Sequence, residues 1–424
     1  MDDLSQYIIV FELLVEVAIL TYLEVKAWKS LYTPLCALMI PYVLVLLITI
    51  PIAGDYGFVP LNYDSIYIWM YGLPLFAIPS FICSTVLQYC GQPVVGPIKE
   101  EEDDGLSPAL TVIACILVAL LLFKLQQTLT HGFYMFGTED FADEFSGRGV
   151  WPHLREMLMP ILILALYYVR KKQYLLWALI FFMLLIQFSY MVKGAIIIAA
   201  VSALFMRLYT GKMRMSLTLI LSVIIGAALI FIIVYMVVPL LGNESGEANM
   251  ELVEFIGRHF LHYFTSGTLG WSYDIDQGMP DVNEFSIIVS PFLNLYNFVA
   301  GDELLSPVNP FYLNTGINLT NVRTFFGTLS IYTDFSMFAA YTLIASSALY
   351  AMRMAALYTR DVYIYCIHFY FCGLMAMGWF EFYLFHLSII EIPLITLFYA
   401  WLARHTADWR RRRQTAQGKE VALG

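Results

Sequence analysis

The chain has 424 residues, of which 60% are hydrophobic and 13% charged, and its formal net charge is −10. A soluble domain carries roughly 45–50% apolar and about 25% charged residues, so this balance excludes a soluble enzyme, a disordered chain and a disulfide-stapled secreted domain. The negative charge argues against nucleic acid, whose binders carry a basic patch.

A bilayer core about 30 Å thick takes ~20 apolar residues per helix. Apolar runs lie at 7–25, 32–53, 66–89, 108–127, 157–169, 173–190, 194–209, 215–241, 333–354, 362–381 and 387–403. The expected fold class is therefore an all-α polytopic integral membrane protein of about 11 transmembrane helices. The stretch 173–209 is divided at Lys193-Gly194, because an ammonium is costly at the membrane centre. The acidic start Met1–Gln6 lacks the positive region and cleavage site of a signal peptide, so the first run is expected to stay. Cys36, Cys83, Cys90, Cys115, Cys366 and Cys372 lie in or beside apolar stretches, with no disulfide framework or zinc motif.

The connecting charges sort by side. Lys26 and Lys29, Arg170 to Lys172, Arg207 to Arg214, Arg353 and Arg360, and the tail from Arg404 follow alternate runs. The positive-inside rule then puts the N-terminus outside and the C-terminus in the cytoplasm. The inner turn 89–107 carries the acidic run Glu100–Asp104. The expected organisation is 1–241, helices 1–8 with an outer loop at 128–156; 242–332, a large outer loop; 333–403, helices 9–11; and 404–424, a basic tail. A loop as long as 242–332 usually carries function or helices of its own. No internal or inverted repeat of a transporter is seen.

Cations are scarce on the outer side, so those that fall there draw notice. They are Arg148 or Arg155, Lys193, Arg258 and Arg323. Lys193, in a short turn before Gly194, suits a lipid phosphate; the ordinary alternative is a lysine snorkelling to the interface. Residues 249–264 have helical periodicity, with Leu252, Phe255, Ile256, Phe260 and Phe264 on one side. Glu251, Glu254, Arg258 and His262 form a polar stripe, and Arg258 and His262 stand four apart on one face. That arrangement sets a guanidinium beside a proton acceptor, unless the helix is simply an interfacial one with a wet side. Arg323 offers a planar fork of donors to a phosphate. Asp334, at the outer edge of run 333–354, is either a base, a partner that holds Arg323, or a helix N-terminal charge favoured by the dipole. Asp274-Ile-Asp276 matches the Asp-x-Asp of nucleotide-sugar transferases over three residues only, and neither a Rossmann pattern nor a P-loop accompanies it.

Across roughly residues 170–360 the chain resembles the Wzy-type O-antigen or capsule repeat-unit polymerases. Four features carry the resemblance: many spans with one large outer loop late in the chain; Lys193-Gly-Ala-Ile-Ile before an apolar helix; His262-Tyr-Phe-Thr-Ser-Gly267; and Asn321-Val-Arg-Thr-Phe-Phe-Gly327 followed by Tyr332-Thr-Asp-Phe-Ser336. The family's glycine after Asp-Phe is Ser336 here, and eleven residues rather than ten separate Arg258 from Gly270.

The resemblance implies a GT-C-like membrane glycosyltransferase of the bacterial inner membrane that acts at its periplasmic face. Its substrates would be undecaprenyl-diphosphate-linked oligosaccharides, possible partners include a chain-length regulator, and no cofactor, nucleotide or metal is implied. Arg258, His262, Arg323 and Asp334 would then be the catalytic residues. Lys193, Arg148, Tyr263, Asn321 and Tyr332 would bind the lipid diphosphate and glycan. Fixed cations favour the charge that develops on a diphosphate leaving group, and the acceptor hydroxyl needs a base, for which Asp334, His262 and Glu254 are candidates. The alternatives are a ligase-type glycan transferase and a flippase. A transporter should carry charge at the membrane midplane, whereas here the charged exceptions within the runs are Glu12, Glu16, Lys124 and Glu391.

Overall fold

A computed structural model describes residues 3–94, 105–130, 141, 144–145, 149–190, 193–216, 218–219, 221–222, 226, 250–278, 282, 284–306 and 309–423. Among them the chain is helical apart from one short ladder. Its helices are α1 Asp3–Trp28, α2 Pro34–Thr49, α3 Tyr67–Tyr89, α4 Pro108–Thr130, α5 Val150–Tyr168, α6 Tyr174–Ser189 and α7 Lys193–Tyr209. After these come α8 Met250–Gln277, α9 Phe285–Ile288, α10 Ser290–Ala300, α11 Phe325–Tyr332, α12 Phe335–Thr359, α13 Val362–Ala376 and α14 Ser388–Leu423. Strands β1 (Leu313–Asn314) and β2 (Leu319–Thr320) pair antiparallel, with Leu313 opposite Thr320 and Asn314 opposite Leu319.

Every expected apolar run carries a helix except 215–241, which lies largely outside the described residues. The helical stretches Tyr63–Tyr89, Pro108–Thr130 and Phe335–Thr359 are long and apolar enough to cross a membrane. Pro34–Thr49, Tyr174–Ser189, Gly194–Tyr209 and Val362–Ala376 are shorter apolar helices. Apolar side chains such as Ile82, Val112, Ile116, Phe123, Phe181 and Ile344 stay exposed on them. Such all-round hydrophobicity suits helices whose outer faces meet lipid. Two boundaries differ from the sequence expectation. Helix α5 begins at Val150, before the apolar run that it contains. Helix α13 ends at Ala376 instead of continuing to 381, because the Gly378 carbonyl leaves the helix to accept the Phe325 N–H at 2.6 Å. The long segment 242–332, expected as a loop, is itself mostly helical among the described residues, from α8 to α11.

The chain divides into two compact units that interleave in sequence. The first comprises Met1–Gly96, Leu208–Tyr358 and Phe371–Ile389, and the second Pro97–Arg207, Thr359–Tyr370 and Ile390–Gly424. In the first unit, Tyr42 stacks on Trp69 with ring centroids 3.5 Å apart. The Trp69 indole N–H donates to Thr324 Oγ1 at 3.2 Å, and the ring meets Phe326 edge-on at 5.0 Å. Two charges sit in the same unit where the sequence reading saw none. Glu24, within run 7–25, is fully buried. Arg353, assigned by charge counting to an inner loop, is buried inside α12. Ser80 Oγ donates to Glu24 Oε2 at 2.6 Å, and the Tyr350 hydroxyl donates to Oε1. Arg353 Nη1 donates to the Tyr32 carbonyl at 2.7 Å, and its guanidinium lies 4.9 Å from the centre of the Trp28 ring. Buried charges persist only with such partners.

The second unit holds α4 to α7 and most of α14. Arg207 Nη1 donates to the Leu166 and Val169 carbonyls at 2.8 and 3.2 Å. It thereby satisfies orphan acceptors at the negative end of α5. His153 Nδ1 lies 2.6 Å from Glu391 Oε1, and Arg404 pairs with Asp361.

Candidate functional site

The candidate site is built on α8, which belongs to the first unit. Its N-terminal half is the amphipathic stretch expected from the sequence. Its C-terminal half is buried, packing on α2 and on residues 62–66, where the Trp271 indole N–H donates to the Ser65 carbonyl at 2.9 Å. The polar stripe therefore changes character along the helix. Glu254 and Arg258 are exposed and paired at 2.5 Å. His262, one turn further, is only 9% exposed. Arg258 and His262 thus lie on one face but not in one solvent environment.

His262 Nδ1 lies 3.0 Å from Thr315 Oγ1. That hydroxyl also lies 3.2 Å from the Asn318 carbonyl, its alternative acceptor. Its single proton goes to one of the two, so the donor at the His262 contact depends on the imidazole tautomer. Burial, with His259 nearby, pushes the imidazole down to about 4, so it is neutral at physiological pH. The β1–β2 turn that supplies Thr315 is anchored in turn, since the Val59 N–H donates to the Thr315 carbonyl at 2.9 Å.

Arg323 is fully buried, and its fork faces protein. It makes a bidentate pair with Asp274, with Nε on Oδ2 and Nη2 on Oδ1 at 3.1 Å. Nη2 also donates to the Phe311 carbonyl at 3.3 Å, and Nη1 to the Val322 carbonyl at 3.1 Å. Protein acceptors thus occupy the donors that the sequence reading reserved for a lipid diphosphate. A Cβ on Gly270 would stand 2.8 Å from the Val322 carbonyl and 3.2 Å from Arg323 Cδ, so glycine is what lets the arginine lie against α8.

Arg323 is held by Asp274 and not by Asp334. Asp334 is exposed and caps α12, accepting the Met337 N–H at 2.8 Å and the Ser336 hydroxyl at 2.7 Å. These bonds hold its carboxyl below the usual range, which weakens it as a base. In Asp274-Ile-Asp276 the two carboxylates point to different partners, since Asp276 Oδ1 accepts from Asn62 Nδ2 at 2.8 Å. Among the described residues no group of three potential metal ligands occurs.

The remaining sequence candidates fall into three places. Asn321 and Tyr332 join the same loop core: Asn321 Nδ2 donates to the Asn309 carbonyl at 3.3 Å, and the Tyr332 hydroxyl to Asn309 Oδ1 at 3.0 Å. Burial pushes the Tyr332 phenol up to about 12. Tyr263 turns to the other side of α8, its ring 4.6 Å from that of Phe380. Lys193 opens α7 in the second unit, but its side chain, like the whole of Arg148, lies outside the described residues. Arg155, in the second unit, pairs with Glu156 at 2.5 Å and lies 4.9 Å from the Tyr190 ring centre.

Sequence reasoning missed Asn309, Thr315 and Glu381, which no motif marks. Gly267 and Gly270, three apart on one helix face, were a legible sign of close packing there.

These elements define an α-helical protein with membrane-crossing helices and a folded polar loop region around α8. The chain belongs to a family of unknown function (DUF6337), whose family model it matches over residues 57–409. No curated protein and no solved structure matches it.

Proposed function

We propose that this protein polymerises undecaprenyl-diphosphate-linked repeat units into an O-antigen or capsule-type polysaccharide. It does so at the periplasmic face of the bacterial inner membrane, with about eleven spans, the N-terminus outside and the C-terminus in the cytoplasm. The observation that carries this reading is Arg258. Its guanidinium is exposed on an amphipathic helix, and among the described residues its partner is an exposed Glu254 one turn away. Such an i,i+4 pair is worth only about 0.3–0.5 kcal/mol. A diphosphate therefore competes easily for the arginine, and its developing charge is stabilised there as the glycosidic bond breaks. The buried Arg323–Asp274 pair supports this role from behind by fixing α8 to the segment before α11. The resemblance over residues 170–360 supplies the substrate class.

The test is a clean deletion strain, read by its surface-polysaccharide ladder and its pool of lipid-linked intermediates, and complemented with Arg258→Ala. The expected result is collapse of the ladder to a single repeat unit, with the variant present in the membrane and extending chains at least 100-fold more slowly, as for loss of an electrostatic donor. Loss of the single unit itself would identify an exporter or a ligase instead.

A further inference from the structure

Each of the three groups nominated as base already has a partner in the resting structure. Asp334 caps a helix, Glu254 holds Arg258, and His262 is packed against Thr315. A fourth group stands beside the same helix. We propose that Glu381, with Tyr263 and Tyr383, forms the acceptor-sugar subsite, and that Glu381 takes the proton of the attacking hydroxyl.

This rests on the polymerase reading. Residues 377–380 turn back after α13 and lie directly on α8. A Cβ on Gly267 would stand 2.5 Å from the Trp379 carbonyl and 2.6 Å from that of Phe380. Trp379 stacks on Phe264 with ring centroids 5.3 Å apart, and Phe380 meets Tyr263 at a tilt with centroids 4.6 Å apart. Glu381 follows this turn immediately and is half-buried. Among the described residues its carboxylate has neither a cation nor a hydrogen-bond donor against it. Burial alone holds it up at about 7.

The titratable groups around it are few. Tyr263 comes from α8 and Tyr383 from the turn that follows, and Tyr383 is pushed up by burial and then by the nearby Glu381 and Tyr263. His386 rests on the Tyr383 ring, with centroids 5.6 Å apart. The Tyr383 phenol is neutral at physiological pH, so it does not neutralise the carboxylate by pairing with it.

A carboxylate with no cation or donor against it among the described residues, directly after a turn of aromatic side chains, suits a sugar. The rings offer apolar faces to the pyranose, and the carboxylate accepts from its hydroxyls. In the reaction the acceptor oxygen bonds to the donor's anomeric carbon as that carbon's bond to the diphosphate oxygen breaks. The electron pair leaves with the lipid diphosphate, and the hydroxyl proton moves to Glu381. A carboxylate with its pKa near the working pH is well matched to that transfer.

The test uses full-length protein in proteoliposomes supplied with an undecaprenyl-diphosphate repeat unit, with chain extension read from pH 5.5 to 8.5. The wild type is expected to lose rate as pH falls through about 7, since the base is active only when deprotonated. His262, already neutral across this range, contributes no such limb. Glu381→Gln, nearly the same size, is expected to lower the rate by about 100-fold or more and to abolish the acid limb, while Glu381→Asp restores part of both. A wild-type rate that is flat across this range, or a Glu381→Gln rate equal to the wild type, overturns the subsite. No polymer from wild-type protein at any pH overturns the polymerase reading itself, which separates the two failures.

Discussion

Arg323 and Asp274 put two full charges where water does not reach, and the guanidinium fork is what makes this tolerable. Two bonds meet the carboxylate and two more meet backbone carbonyls. Removing one member strands the other, at a cost of about 3–5 kcal/mol, whereas replacing both with apolar residues of similar volume is often neutral. Arg323→Met alone is therefore expected to lower the thermal midpoint of the detergent-solubilised protein sharply, and Arg323→Met with Asp274→Leu to recover most of it. If Arg323→Met keeps wild-type stability yet stops chain extension, the arginine is a substrate ligand after all. From sequence these two residues looked unrelated, one in a motif for phosphate and the other in a weak metal motif. A separation of 49 positions hides such a pair from any local reading.

At the scale of the element, α8 was largely legible. Its 3.6-residue period and the i,i+4 Glu254–Arg258 pair follow from spacing alone. What spacing did not give is that the helix descends from solvent into the loop core within its 28 residues, which separates Arg258 from His262 in exposure. Two of its glycines make the contrast testable. Gly257 has open space around its Cβ direction, and Gly267 faces the Trp379 and Phe380 carbonyls. Gly257→Ala is expected to stabilise by about 0.4–1 kcal/mol through helix propensity and a less flexible unfolded chain. Gly267→Ala forces backbone apart and is expected to cost about 1–3 kcal/mol. Thermal unfolding of the two variants side by side checks both signs. Equal effects would mean that the turn at 377–380 does not press on α8.

Over the whole molecule, the crossing pattern has a chemical consequence at the cysteines. Cys90 is exposed at the end of α3, which the positive-inside rule puts on the cytoplasmic side. Cys36, Cys366 and Cys372 are buried, and Cys115 is exposed on a membrane-crossing helix where the solvent is lipid. An impermeant maleimide is expected to label intact spheroplasts weakly and inside-out vesicles strongly, with the inside-out signal lost in Cys90→Ser. Strong labelling of Cys90 in intact spheroplasts would invert the orientation.

The sequence by itself determined that the protein is helical and membrane-crossing, because hydrophobic length and composition are properties of contiguous residues and need no partner to be read. It also located the amphipathic helix at the start of the long segment 242–332. Tertiary structure alone decided which charges meet. Asp274 reaches Arg323, Thr315 reaches His262 and Glu24 reaches Ser80 and Tyr350 only after distant segments have packed. It also decided that Asp334 is a cap, and it left Glu381 without a partner among the described residues. The interleaving of the two units has the same origin. Helices choose neighbours by fitting side-chain ridges into grooves, and that fit is indifferent to order along the chain.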